Sequence, residues 1–128
     1  MTRPVVHALS SARETFRIAA TGEPLGEVTD LSGPTGLSHL RVQHERLPPG
    51  RRSSSPHHHT AREECIYVLV GKPTLLHGNR SHELVPGDFV GLPSGPPAHV
   101  LTNETDDLVD VLVFSAPTGE DVVVYERG

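Results

Sequence analysis

Apolar positions along this chain fall in runs of four to eight residues with glycine, proline or asparagine between them, and none sustains a 3.6-residue period. That pattern predicts an all-β fold. Expected strands run over Thr15 to Ala19, Ser38 to Leu47, Glu64 to Val70, Thr74 to His77, Ser81 to Val85, Asp88 to Leu92, Ala98 to Asn103, Leu108 to Ser115 and Asp121 to Glu126. Pro48-Pro49-Gly50, Pro86-Gly87, Pro93-Ser94-Gly95 and Pro117-Thr118-Gly119 supply fixed or positive φ between them, and Gly78-Asn79 is a hairpin candidate. Cys65 to Val70, β-branched and halted at Gly71, reads as a buried strand. Residues 1–36 are broken by Gly22, Pro24, Gly26, Gly33, Pro34 and Gly36. They are expected to form a partly β arm that wraps the barrel or a second subunit, or else a loosely ordered leader. Residues 37–128 then form the barrel, within one domain.

A chain of 128 residues is long enough to bury a core without disulfides, and its single cysteine, Cys65, forms no internal bridge. A buried, reduced thiol and a cytoplasmic location are the expectation. The N-terminus lacks a basic segment followed by an apolar one, and no run approaches the roughly 18 apolar residues of a membrane helix. Net charge is −5 with scattered arginines, which argues against a nucleic-acid partner, and no helical pair precedes Leu37 that could read DNA. Histidine is the unusual component, with nine in the chain, three of them consecutive.

Those three carry the chemistry. On extended backbone His57 and His59 project from one face and His58 from the other. Glu64 stands at the mouth of the following strand, and His99 opens another short apolar strand further on. Imidazole and carboxylate are the usual donors to divalent transition metals. The order Gly50, His57-x-His59, Glu64, Gly71, then Gly87-Asp88, Pro93-x-Gly95, His99 and Asn103 resembles the paired signatures of the cupin superfamily. The spacers Gly50 to His57 and Gly95 to His99 are each one residue longer than the commonest form. One group of small cupins is especially similar, sharing the lead-in Pro49-Gly50-x-x-Ser53-Ser54 and the ending Glu120-Asp121-Val122-Val123-x-Tyr125.

The resemblance implies a double-stranded β-helix, or jelly-roll, barrel and a homodimer. It also implies one divalent transition metal (iron, manganese, zinc, nickel or copper) on His57, His59, Glu64 and His99. The implied activity is that of a metal-dependent enzyme on a small metabolite, either a dioxygenase or an isomerase, cyclase or decarboxylase. A non-catalytic metal-, sugar- or metabolite-binding module is the alternative, and a metal-free sugar-nucleotide isomerase comes third. Candidate proton-transfer or pocket residues are His44, which shares a strand face with Leu40 and Val42, His77 after Leu75-Leu76, and Asn103. By the same alternation Arg41 and Gln43 are expected on the exposed side, Glu63 and His58 turned from the metal, and Asp110 outward or at a subunit contact. There is no phosphate-binding glycine loop and no serine elbow, and Tyr67 and Tyr125 are too isolated for a base-stacking platform.

Overall fold

A computed structural model describes residues 2–126. Eleven strands run in chain order: β1 (Glu14–Arg17), β2 (Pro24–Asp30), β3 (Arg41–Leu47), β4 (His57–His59), β5 (Glu64–Val70), β6 (Thr74–His77), β7 (Arg80–Glu83), β8 (Phe89–Leu92), β9 (His99–Thr102), β10 (Val109–Ser115) and β11 (Val123–Tyr125). They form a six-stranded sheet, β1-β2-β3-β10-β5-β8, and a five-stranded sheet, β11-β4-β9-β6-β7, with all pairs antiparallel. This is the expected jelly-roll barrel.

The core lies between the sheets. Leu47, Val68, Val109 and Val111 are fully buried, and Ile66, Leu75, Leu92 and Leu101 pack with them. Gly78 takes φ +60° in the turn that pairs His77 with Arg80, the hairpin expected at Gly78-Asn79. Gly71 takes φ +83°, and a Cβ there would strike the carbonyl of Leu108. Only glycine ends β5 this way.

Three features depart from the sequence reading. β2 was hidden by Pro24 and Gly26, yet it pairs with both β1 and β3 and brings the first third of the chain into the six-stranded sheet. The parity of β3 is also reversed. Gln43, Glu45 and Leu47 face the barrel interior, whereas His44 and Arg46 face outward. His44 is nonetheless buried, because Arg13 in the N-terminal segment covers it, with Nη2 2.7 Å from His44 Nδ1. Asp110 is buried on the same outer face and accepts two hydrogen bonds from Arg46, at 2.9 and 3.2 Å. Cys65 is half-buried instead of buried and lines a surface groove with Leu40 and Phe114. Burial and the nearby charge of Glu64 push its thiol up, away from reactivity. Among the described residues no helix is long and apolar enough to cross a membrane.

Candidate metal centre

β4 is only three residues long, but it is held between β11 and β9, which fixes its register from both sides. His57 lies directly opposite His99 of β9 and opposite Tyr125 of β11, and His59 lies opposite Val123. Direct antiparallel partners project to one face. The ring centroids of His57 lie 4.8 Å from those of His99 and 5.1 Å from those of His59. Glu64 begins β5 in the other sheet and reaches across the barrel toward the imidazoles. Ligand atoms of His57, Glu64 and His99 all lie within 4.8 Å of one another. His59 joins them through Glu64, with its Nε2 2.9 Å from Glu64 Oε1, while His99 Nε2 is 3.6 Å from the same oxygen.

Hydrogen bonds behind the rings determine which nitrogen is available. His57 Nδ1 donates to the carbonyl of Ser55 at 2.9 Å, leaving Nε2 with its lone pair. His59 Nδ1 donates to Asp121 Oδ2 at 2.7 Å. Burial alone would raise the Asp121 carboxyl. Backbone N–H bonds from Arg62 and Ala61 and the bond from His59 outweigh that and hold it well below the usual carboxylate range. Asp121 is therefore a pure acceptor, and His59 keeps its proton on Nδ1. Its Nε2 then stands 2.9 Å from Glu64 Oε1, a contact that calls for a cation between the two atoms, either a proton or a metal. Burial would raise the Glu64 carboxyl, but the hydrogen bond from His99 and the attraction of any proton held on the His59, His99 or His57 rings outweigh it and keep Glu64 below the usual carboxylate range, ionised at neutral pH. Burial, partly opposed by the bond to Ser55, lowers His57, so its imidazole is neutral at neutral pH, the form that ligates metals.

Imidazole nitrogens and a carboxylate oxygen converge here on one point, and each can give a lone pair to a cation. One shared ion can meet them together, and the donor set of imidazole nitrogens plus one carboxylate suits a divalent transition metal. The residues present fit the ion that the sequence pattern implied.

A cavity of about 150 Å³ opens beside this cluster. Gln43, Glu45, Ser54, His57, Glu64 and His99 supply its polar lining, and Ile66, Leu92, Leu101 and Val113 its apolar wall. The three residues put forward for proton transfer lie elsewhere. His44 is on the outer face, since β3 has the opposite parity to that inferred from Leu40 and Val42. His77 pairs across β6 and β9 with His99 but lines a neighbouring cavity with His82 and Phe89. Asn103 is 1% exposed and fully occupied, its amide donating to the carbonyls of Leu47 and Asp107 at 2.8 Å and its Oδ1 accepting from Thr105 N and Oγ1. It closes a turn and does not line the metal-site cavity.

Two residues were missed. Asp121 stood in the closing Glu-Asp-Val-Val-x-Tyr segment, and the structure supplies the physical reason for that segment: it orients His59, pairs β11 with the ligand strand and sets Tyr125 5.9 Å from His57. Glu45 shares parity with Leu47, a signal that was present had the strand been counted from its buried end.

Similarity to known proteins agrees with this architecture. A candidate sugar phosphate isomerase from Acidithiobacillus ferrooxidans is 35% identical over 78% of this chain and 64% of its own, with a TM-score of 0.75. A sugar phosphate isomerase of the cupin superfamily from Silicibacter pomeroyi is 32% identical over 80% of this chain and 66% of its own, with a TM-score of 0.77. The chain thus spans just under two thirds of the length of each. A polyketide cyclase from Streptomyces resistomycificus shares the fold at 22% identity, with a TM-score of 0.76 over 99% of this chain and 87% of its own. No curated protein matches significantly. The family model of the cupin domain matches residues 43–115, more than half of the chain, and takes in every residue of the cluster around Glu64; the chain belongs to the cupin family.

Proposed function

We propose that this cupin is a metal-dependent enzyme of the isomerase type, acting on a small hydroxylated metabolite. His57, His59, Glu64 and His99 hold one divalent transition metal. The observation that carries this reading is the convergence on Glu64 Oε1 of imidazole nitrogens, one of which has its other nitrogen already committed to an ionised carboxylate. When bound, such an ion polarises a carbonyl and stabilises negative charge on its oxygen. The chain supplies the rest. Ser55 and Asp121 fix the rings of His57 and His59, the apolar wall of Ile66, Leu92, Leu101 and Val113 limits water, and Gln43 and Glu45 offer hydrogen bonds to a ligand in the cavity. Isomerase chemistry is preferred to oxygenase chemistry because two relatives above 30% identity bear that name.

Elemental analysis of protein purified without a histidine tag tests the site, beside a His57→Ala, His59→Ala double variant. Close to one transition-metal ion per chain, lost in the double variant, is the expected result. A folded wild type that is metal-free and takes up no added iron, manganese, nickel, copper or zinc overturns the reading.

A further inference from the structure

The most buried polar residue lining the cavity is not one of the four metal-site residues. Glu45 lies on β3 two residues before the fully buried Leu47, is 8% exposed, and has a carboxyl oxygen, Oε1, with no hydrogen-bond partner. β2 makes room for it. Gly26 carries no side chain, and a Cβ at that position would collide with the Glu45 carboxyl. An unpartnered buried carboxyl opposes folding, and unmet polar groups of this kind concentrate where a ligand is to be met. Burial first, and the charge of Glu64 second, push Glu45 up to about 7. A carboxyl in that range gains and loses a proton readily at neutral pH.

The cavity also selects by charge and size. Among the described residues that line it there is no lysine or arginine. Arg51 and Arg52, adjacent to the lining residue Ser53, are engaged by Glu27 and Glu23. Beyond the metal, whose double charge is already half met by Glu64, a phosphate dianion would find no cationic side chain and would stand beside the Glu45 carboxyl. A cavity of about 150 Å³ accommodates a molecule of about six heavy atoms.

Resting on the metal-enzyme reading above, we propose that the cavity takes an uncharged α-hydroxy carbonyl compound of three or four carbons, and that Glu45 carries hydrogen between its adjacent carbons. The Glu45 carboxylate takes the proton from the carbon that bears the hydroxyl. The C–H electron pair forms the carbon–carbon double bond of an enediolate, and the carbonyl π pair moves to oxygen. The protonated carboxyl then returns its proton to the former carbonyl carbon, while the hydroxyl proton passes to the neighbouring oxygen. Bonds and charge balance, and no other reactant is consumed.

The test uses metal-reconstituted full chain with dihydroxyacetone and dihydroxyacetone phosphate as probes in D2O. Metal content, probe binding by saturation-transfer NMR and deuterium incorporation at carbon are measured on the same samples. Wild type is expected to bind and exchange dihydroxyacetone, and to favour it over the phosphate. Glu45→Gln should keep its metal and bind the probe within about threefold, yet lose exchange by roughly 100-fold; Glu45→Asp should recover part of it. Exchange in Glu45→Gln at the wild-type rate overturns the role of Glu45 and leaves the metal reading standing. Tighter binding and faster exchange of the phosphate overturn the charge selection. A metal-filled wild type that neither binds nor exchanges either probe overturns the whole proposal, and a wild type that takes up no metal removes the reading on which it rests.

Discussion

Replacing Glu45 by glutamine removes a titration that works against folding. In the unfolded chain the carboxyl ionises near 4.5, and in the folded chain near 7. Below about 4.5 both states are protonated and the group is neutral toward stability. Between those values the unfolded chain ionises and the folded one does not, so each rise in pH favours unfolding. Above about 7 both are ionised, and the full penalty of a buried carboxylate is present. At about 1.4 kcal/mol per pH unit the whole difference is roughly 3 kcal/mol, of which about 2.5 kcal/mol falls between pH 5 and pH 8. Urea unfolding of metal-free wild type and Glu45→Gln across that interval should therefore show the variant gaining about 2.5 kcal/mol relative to wild type. Any pH-independent cost of burying the amide shifts the curve without changing its slope. Histidine titrations, including those of His44 and His57, which burial lowers, are common to both proteins and cancel in the difference. A wild-type-to-variant difference that stays level within about 0.5 kcal/mol from pH 5 to pH 8 refutes the assignment of a buried, raised carboxyl to Glu45.

Asp121→Asn leaves the packing of β11 but removes the anionic acceptor that fixes the His59 tautomer, so metal affinity should fall by roughly 10- to 100-fold, measured by competition with a chelator, with the far-UV spectrum unchanged. Asn103→Ala strips the buried carbonyl of Leu47, the carbonyl of Asp107 and the Thr105 N–H of their partner, and should cost about 2–3 kcal/mol in urea unfolding while metal content per chain stays at the wild-type value.

The strands were legible where alternation and turn chemistry agreed. Glu64 to Val70 and Thr74 to His77 were delimited by Gly71, Pro73 and Gly78, and those bounds coincide with β5 and β6. β2 was not legible, because Pro24 and Gly26 read as breakers when taken alone. Gly26 is in fact tolerated within the strand because a side chain from β3 fills the space it leaves. The same reasoning explains the fate of the site residues. The pairing of His57 with His59 follows from strand periodicity, a local property, whereas the destination of His44 depends on which face of β3 meets the second sheet. Leu40 and Val42 suggested one face, but Leu40 is largely exposed and Val42 is only half-buried, whereas the fully buried Leu47 sets the other face toward the core. Asn103 matched the parity of His99, yet its side chain closes the turn after β9, a use that periodicity cannot reveal.

The division of the centre between the sheets gives the fold and the chemistry a common basis. Three imidazoles come from β4 and β9 of one sheet and the carboxylate from β5 of the other, so any ion bound among them ties the two layers together at one end of the barrel. Binding energy gained only in the folded state stabilises that state in proportion to the logarithm of free metal over its dissociation constant, about 2.7 kcal/mol at a 100-fold excess. That is comparable to the roughly 3 kcal/mol by which ionised Glu45 opposes folding above neutral pH. The cost of keeping an unpartnered carboxyl beside the centre is thus of the size that filling the centre can offset, and both effects arise from residues that line one cavity.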